Sequence, residues 1–455
     1  MVGAAIPLTV ELAVYAAGWD LLRGVSDSDK YYRLALRIFD TGMFGIVDPG
    51  TGAFLPELDA VAGYPYFLAA AFALFGRENY WAVGVVQALL AGLAVPAIAL
   101  AARAIKDEWL VPAGMLAAVW PNLAYRPATI LSETLFTFFI SWGLCAALWA
   151  AKARRPLWLL VAAGIGLGLA YLTRPVLMGF PFIVTPGLAM LLYREQHRGW
   201  SPIIFAAVPI AVMLTFTVPN YVRSYQAYGA PMFTLQQGHN LLFYIYPCLA
   251  ADWGCGNPDL AAGARAQAEY ERAMTPELEA NVVARNDIET GLASRLIGEL
   301  TLTQFAKAIV GSTAKLLLHN TSYEILQRFE FPVRYWGEAA GDGPGARVRS
   351  FAADIAATPS MLIWAAFQVF LLLSRAVQVV GAVRMLLRPA LLGPAVFLLA
   401  YMAAILAVSI GFGNPRYRVP LEPGLILFTV AGLDFLWARG RRGRSIAAPA
   451  VGPAR

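Results

Sequence analysis

Charge is what this 455-residue chain has least of: Asp, Glu, Lys and Arg make up 14% of it, against about 25% in an ordinary soluble domain. The small basic excess of +6 sits mostly in short connections between apolar runs, where it orients a chain in a membrane and does not form a nucleic-acid-binding surface. Histidine and cysteine are also scarce. His197, His239 and His319, with Cys145, Cys248 and Cys255, form no cluster at ligand spacing, which argues against a metal site. Period-two alternation is missing, which removes a β-barrel. No internal repeat is present. The opening stretch, MVGAAIPLTVELAVYAAGWDLLRG, lacks a basic leader and a small-residue cleavage site, and reads as a retained first helix.

What the chain has in excess is apolar length. Hydrophobic residues are 59% of it and come in continuous runs of about 20, enough for a helix to cross a hydrocarbon core of about 30 Å. The expected fold class is an all-α polytopic membrane protein. Spans are expected near 3–22, 80–102, 109–125, 130–151, 156–173, 175–193, 201–219, 360–384, 389–411 and 417–438. Tyr64–Gly76 is too short to cross and is placed as a juxtamembrane or half-inserted helix. Basic residues then fall in alternate connections: Arg103 and Lys106; Lys152, Arg154 and Arg155; Arg194 and Arg198; Arg384 and Arg388; and the tail from Arg439. With these placed in the cytoplasm, the 23–79 loop lies outside.

Four regions follow. Residues 1–219 form a transmembrane catalytic module that includes the 23–79 outer loop, 220–359 an extracytoplasmic segment, 360–438 the C-terminal transmembrane helices, and 439–455 a basic cytoplasmic tail. The 220–359 segment is mostly helical. Leu302, Phe305, Ile309, Leu316 and Leu317 make one stripe, and Pro276 follows Thr275 at a helix start. Cys145 reads as a small core residue. Cys248 and Cys255 are either a disulfide, favoured outside the cytoplasm, or two free thiols.

This topology gathers the polar features on one face: the carboxylate-rich loop from Ser26 to Pro65, the Arg126 to Glu133 turn, Thr173-Arg174-Pro175, the 220–359 segment, and Asn414 to Pro420. Five clusters distant in sequence and sharing a face suggest one site. Asp27, shielded at the boundary, can take a proton from an acceptor hydroxyl; alternatively Ser26, Asp27 or Ser28 caps a short surface helix. Glu133 opens an apolar span, either as an acid near Arg126 that binds the acceptor or as a helix-dipole partner. Arg174, Arg416 and Arg418 stand where a cation holds an anion, a substrate phosphate or a lipid headgroup, or else merely anchors a helix.

The motifs DSDKYYRLA at Asp27, GYPYFLAAAFALFG at Gly63, SETLFTFF at Ser132, LTRP at Leu172, VPNYVRSYQAYGAPMFTLQQGHN at Val218 and NPRYRVPLEP at Asn414 carry a resemblance that spans nearly the whole chain. The sequence resembles the bacterial branch of the dolichyl-phosphate-mannose protein mannosyltransferase family, the polyprenyl-phosphate-sugar-dependent GT-C glycosyltransferases that include the aminoarabinose transferases. The resemblance implies a GT-C-like helix bundle with Asp27 as catalytic base. It also implies Tyr31, Tyr64, Arg126, Glu133, Arg174, Arg416, Tyr417 and Arg418 as substrate-binding residues, the arginines of the LTRP turn and the last cluster facing the lipid phosphate. Asn220, Tyr221 and Arg223 stand where relatives read R-N-Y, with Pro219 in place of the arginine.

Chemistry agrees with that resemblance. A polyprenyl phosphate is already a good leaving group, so the reaction needs one carboxylate to deprotonate the acceptor and cations to hold the phosphate. Inversion at the anomeric carbon is expected. No cofactor is required, although Asp29 and Asp59 could join Asp27 around a divalent cation. Expected partners are the lipid donor, a lipid, glycan or protein acceptor, and membrane lipids, in a bacterial inner membrane with the site facing outwards. Two other readings stay open: an O-antigen-ligase-like transferase using a diphosphate-linked glycan, with His239 its one plausible catalytic histidine, and a transporter or flippase, which should show paired interrupted helices.

Overall fold

Apolar length decides which helices cross and which lie at the boundary. The computed structural model describes residues 2–16, 26–48, 51–177, 179–195, 201–254, 259–334, 344–409 and 413–447. α1 (Val2–Ala16) is followed by the charged α2 (Ser26–Thr41), a small antiparallel hairpin of β1 (Gly45–Val47) and β2 (Phe54–Pro56), and the apolar α3 (Gly63–Phe75). Then come α4 (Tyr80–Ile105), α5 (Leu110–Val119), α6 (Pro121–Tyr125), α7 (Glu133–Lys152), α8 (Leu157–Thr173), α9 (Phe180–Glu195) and α10 (Ser201–Tyr228).

The segment after α10 is helical and polar. It holds α11 (Gln236–Asn240), a π-turn at Leu241–Ile245, α12 (Tyr246–Ala250), α13 (Leu260–Ala273), α14 (Pro276–Ala280), α15 (Val282–Gly298), α16 (Leu302–Leu318), α17 (Ser322–Arg328) and α18 (Pro344–Ala357). Side chains cap its helices: Asp259 caps α13, Thr275 caps α14 ahead of Pro276, Asn281 caps α15, and Thr301 with Gln304 forms a capping box on α16. The chain returns through α19 (Pro359–Leu386), α20 (Leu392–Ser409) and α21 (Glu422–Ala447).

Among the described residues six helices are long and apolar enough to cross a membrane: α4, α7, α10, α19, α20 and the Pro415–Arg439 stretch that runs into α21. The bundle packs in a chain of neighbours, α1 on α4, α4 on α7, α7 on α8, α8 on α10, and α9 on α20, while α19 packs on α21. α7 and α21 are the central helices and α10 and α19 the peripheral ones, so the latter turn Leu214, Val218, Leu372 and Leu373 outwards. α19 meets α21 at backbone distance. A Cβ on Gly381 would strike the Phe428 carbonyl and one on Gly432 the Val377 carbonyl, the small-residue contact that membrane helices use to pack.

Four expectations change. The single span at 109–125 is broken at Trp120, whose extended ψ of 119° ahead of Pro121 ends α5 after 10 residues. The span at 175–193 opens as a 3-10 turn over Pro175–Leu177. The helix at 201–219 runs on through Pro219 to Tyr228, since a proline inside a membrane helix is tolerated where neighbours satisfy the freed carbonyl. The last span is preceded by a 3-10 turn, Pro415–Leu421. The first span, expected at 3–22, is described only to Ala16; residues 17–25 lie outside the described residues. Cys145 is free and buried. Cys248 is disulfide-bonded, and Cys255 lies outside the described residues.

Candidate functional site

Two helix beginnings, one helix end and one 3-10 turn meet at a single boundary of the bundle. α2 brings Asp27 and Tyr31, the start of α7 brings Glu133, the end of α8 delivers Arg174, and the Pro415–Leu421 turn brings Arg416, Tyr417 and Arg418. The basic Arg103, Lys152, Arg194 and Arg384 sit at the C-terminal ends of α4, α7, α9 and α19. Since Glu133 is the first residue of α7 and Lys152 its last, that helix separates the site from the basic side.

Arg416 is the hub. Its Nη1 lies 2.9 Å from Asp27 Oδ2, and its Nε donates to Glu133 Oε1. The same Glu133 oxygen is 2.5 Å from Arg174 Nη1, an ion contact without hydrogen-bond alignment. Glu133 is fully buried, and its Oε2 has no hydrogen-bond partner among the described residues. Lys30 Nζ is 3.6 Å from Asp27 Oδ1. Two carboxylates are therefore surrounded by three cations. Such an excess at a low-dielectric boundary favours an incoming anion. Asp27 is the accessible member, with a third of its side chain exposed.

Aromatic rings and hydrogen bonds frame this cluster. Arg174 lies over the Tyr417 ring at 5.5 Å. Tyr31 meets Tyr64 edge to face at 5.0 Å, and burial pushes the Tyr31 phenol above its ordinary value, keeping it a neutral hydroxyl. Ser28, one residue beyond Asp27 inside α2, donates to Ile130 O at 2.9 Å. That bond fixes α2 to the loop before Glu133, so Ser28 is a tether and not the cap that the sequence allowed.

Three expected contributors are engaged with other partners. Arg418 is not bonded to the Asp27 and Glu133 pair: its Nε donates to Glu422 at 2.8 Å and its Nη1 to the carbonyls of Leu316, Leu317 and His319. It closes the C-terminus of α16, whose last carbonyls need donors. Arg126 is buried with its Nη2 2.9 Å from Glu324 Oε2 of α17, again without hydrogen-bond alignment. Tyr64 is fully buried and donates to Gln87 Oε1 at 2.8 Å. Asp29 pairs with Arg33 at 3.0 Å, and the exposed Asp59 lies 3.8 Å from Arg285. The three carboxylates proposed to share a cation therefore do not converge, and no group of three His, Cys, Asp or Glu among the described residues could hold a metal ion. His239 sits on α11, 3.6 Å from Glu289 of α15.

Sequence reading missed two buried residues that build the site. Gln87, in the middle of apolar α4, donates from Nε2 to Pro127 O at 2.9 Å and Thr129 O at 3.0 Å while accepting from Tyr64. Glu422 accepts from Trp120 Nε1 at 2.6 Å, Asn122 Nδ2 at 2.5 Å and Arg418. The available signal was the same for both: a lone polar side chain in an otherwise apolar run, costly unless fully partnered.

No protein-family model matches the chain, and neither does any curated protein sequence. Solved structures do. The chain is similar to the archaeal oligosaccharyltransferase AglB from Archaeoglobus fulgidus in complex with an inhibitory peptide and a dolichol-phosphate, with 15% identity, a TM-score of 0.49, and coverage of 100% of this chain and 52% of that one. It is also similar to the same oligosaccharyltransferase in complex with Zn and sulfate, with 15% identity, a TM-score of 0.48, and coverage of 99% and 51%. ArnT from Cupriavidus metallidurans bound to undecaprenyl phosphate matches at 16% identity and a TM-score of 0.41, over 92% of this chain and 77% of that one. The chain thus spans about half the length of the oligosaccharyltransferase.

Proposed function

We propose that this protein is an integral-membrane glycosyltransferase that moves a sugar from a polyprenyl-phosphate donor to an acceptor, with inversion, on the extracytoplasmic face of a bacterial inner membrane. The observation that carries the reading is the sharing of Arg416 between Asp27 and Glu133, with Arg174 on the same glutamate. That arrangement sets a partly exposed carboxylate beside two guanidiniums, and with Lys30 the cations outnumber the two carboxylates.

Asp27 accepts the proton of the acceptor hydroxyl, whose oxygen forms the new bond to the anomeric carbon. The old bond from that carbon to the phosphate oxygen breaks with its electron pair remaining on the phosphate. Arg174 and Arg416 hold the anion as its charge grows, which is where preorganised cations lower a barrier most. Glu133, buried between them, keeps the two guanidiniums from repelling each other and sets their spacing. Tyr417 supports the plane of Arg174. No step needs a strong general acid, since a phosphate monoester leaves as a stable anion.

The test is transfer of label from a panel of polyprenyl-phosphate sugars to membrane extracts by the purified protein. Asp27→Asn should abolish it while donor binding persists, and undiminished transfer by that variant would remove the base from the scheme. His239→Ala run in parallel decides against the ligase-like alternative if transfer is retained.

A further inference from the structure

A shallow cleft lies beside this site between the first loop and the outer end of α10; Phe44, Glu57, Asn220, Arg223 and Phe233 contribute to its walls. It is pre-built. Tyr228 Oη donates to Pro56 O at 2.9 Å, and Thr234 Oγ1 and Leu235 N both donate to Leu58 O at 2.9 Å. These bonds join β2 and the loop after it to the chain that leaves α10, so the walls keep their spacing without a ligand.

The charges in this cleft are unequal. Glu57 is fully occupied: Oε2 accepts from Arg37 at 3.1 Å, and Oε1 accepts the backbone N–H groups of Leu58 at 3.1 Å and Asp59 at 2.9 Å. Asp59 lies by Arg285. Arg223 lies over the Phe54 ring at 5.6 Å and has no carboxylate partner among the described residues. One wall of the cleft thus presents a guanidinium whose planar fork of donors suits a carboxylate or phosphate.

The cleft is a neighbour of the transfer site. Phe233 packs on Tyr171 at 4.6 Å and on Tyr221 at 5.4 Å; Tyr171 precedes Arg174 by three residues, about 5 Å of helix rise. Ala62 lines the cleft, and the next residue, Gly63, lies so close to the Leu172 carbonyl that a Cβ there would meet it at 2.6 Å. The residue after that, Tyr64, touches Tyr31.

We infer that the cleft is an acceptor subsite in which Arg223 binds an anionic group, phosphate or carboxylate, carried by the acceptor at a distance from the hydroxyl that reacts. This assignment rests on the transferase reading, with Arg223 as a specificity residue that touches substrate. The resemblance carries no role over to Arg223, because the motif around it departs from the expected pattern at Pro219.

The experiment titrates inorganic phosphate, and separately acetate, into the full-length protein in phosphatidylcholine nanodiscs by calorimetry, for wild type, Arg223→Gln and Arg223→Lys. Loss of one charge-assisted pair should weaken the Arg223-dependent phase about tenfold in Arg223→Gln, with partial recovery in Arg223→Lys. The phase assigned to Arg174 and Arg416 should remain, showing that the variant is folded. Identical titrations for wild type and Arg223→Gln overturn the assignment. So does loss of the phase in nanodiscs containing phosphatidylglycerol, since the anion would then be a lipid headgroup. In the transfer assay Arg223→Gln should raise the acceptor concentration for half-maximal rate about tenfold and leave the saturated rate unchanged. Failure of the transferase reading is distinguishable: there Asp27→Asn would transfer normally, whatever Arg223 does to phosphate binding.

Discussion

Arg416 and Arg418 stand two residues apart in one 3-10 turn, and each meets a buried glutamate, yet the two clusters are built to different standards. Around Arg418 the carboxylate is closed off: Glu422 accepts three donors, and Arg418 Nη1 donates to backbone carbonyls at the end of α16, where Arg375 donates to the same Leu317 carbonyl. Around Arg416 the cations outnumber the carboxylates, Glu133 Oε2 has no partner among the described residues, and Asp27 is partly open to solvent. The Arg418 cluster, closed on its carboxylate, joins segments of the chain. The Arg416 cluster, with an unpartnered Glu133 oxygen and a partly exposed Asp27, has the charge balance that an incoming anion would complete.

The strongest way to break this contrast is to neutralise the open cluster. Asp27→Asn keeps the shape of the side chain, and if Asp27 is the base, transfer should fall about 10²- to 10⁴-fold. Thermal unfolding should shift little, because Asp27 pairs at a partly exposed site. Measuring rate and Tm on the same preparation separates the two effects. The closed cluster should respond the other way. Glu422→Ala leaves Arg418 buried without its counter-charge, which costs about 3 to 5 kcal/mol, and it strips Trp120 and Asn122 of their acceptor as well. That variant should unfold at a clearly lower temperature in detergent, and any transfer lost should follow the folded fraction.

A finer test changes geometry without changing charge. Arg416 reaches Asp27 with Nη1 and Glu133 with Nε, a two-sided contact that a planar fork can make and a single ammonium cannot. Arg416→Lys should therefore lower the saturated rate by about tenfold, a change of about 1.4 kcal/mol. The same change at Arg418 should cost stability and not rate, because there the fork serves carbonyls.

The contrast also explains which parts were legible beforehand. Continuous apolar runs gave the helices that became α4, α7, α8, α10, α19 and α20, because hydrocarbon thickness is the main constraint on them and periodicity adds little. The break at Trp120 was hidden since both sides of it are apolar, and the run of α10 beyond Pro219 was hidden since proline ends helices in water more strictly than in a bundle. Asp27, Glu133, Arg174 and Arg416 stood out as charges at the ends of apolar segments, and the fold brings these four together. Arg418 looked equivalent to Arg416. Successive positions on a 3-10 turn are about 120° apart, so residues two apart face different neighbours, and which of them meets the C-terminus of α16 depends on how a segment about 100 residues earlier in the chain docks.

Gln87 gives the smallest expected effect on transfer and the sharpest control on what counts as closed. Its amide uses both donors on Pro127 and Thr129 and its oxygen on Tyr64, so it resembles Glu422 in being satisfied, but it carries no charge and touches neither Asp27 nor the arginines. Gln87→Leu should cost about 1 to 3 kcal/mol, the penalty for taking the partner from a buried hydroxyl and from the Pro127 carbonyl, while Thr129 O keeps the Leu131 N–H. Part of that cost belongs to Tyr64 alone. Adding Tyr64→Phe in the Gln87→Leu background removes the orphaned hydroxyl, so the double variant should be less destabilised than the sum of the two single changes. Strict additivity would mean that the two side chains are not coupled, and α4 would then not hold α3, which carries Tyr64 towards Tyr31, through this pair. Coupling in stability, with the transfer rate per folded molecule unchanged, would place Gln87 on the structural side of the comparison, with Arg418 and Glu422.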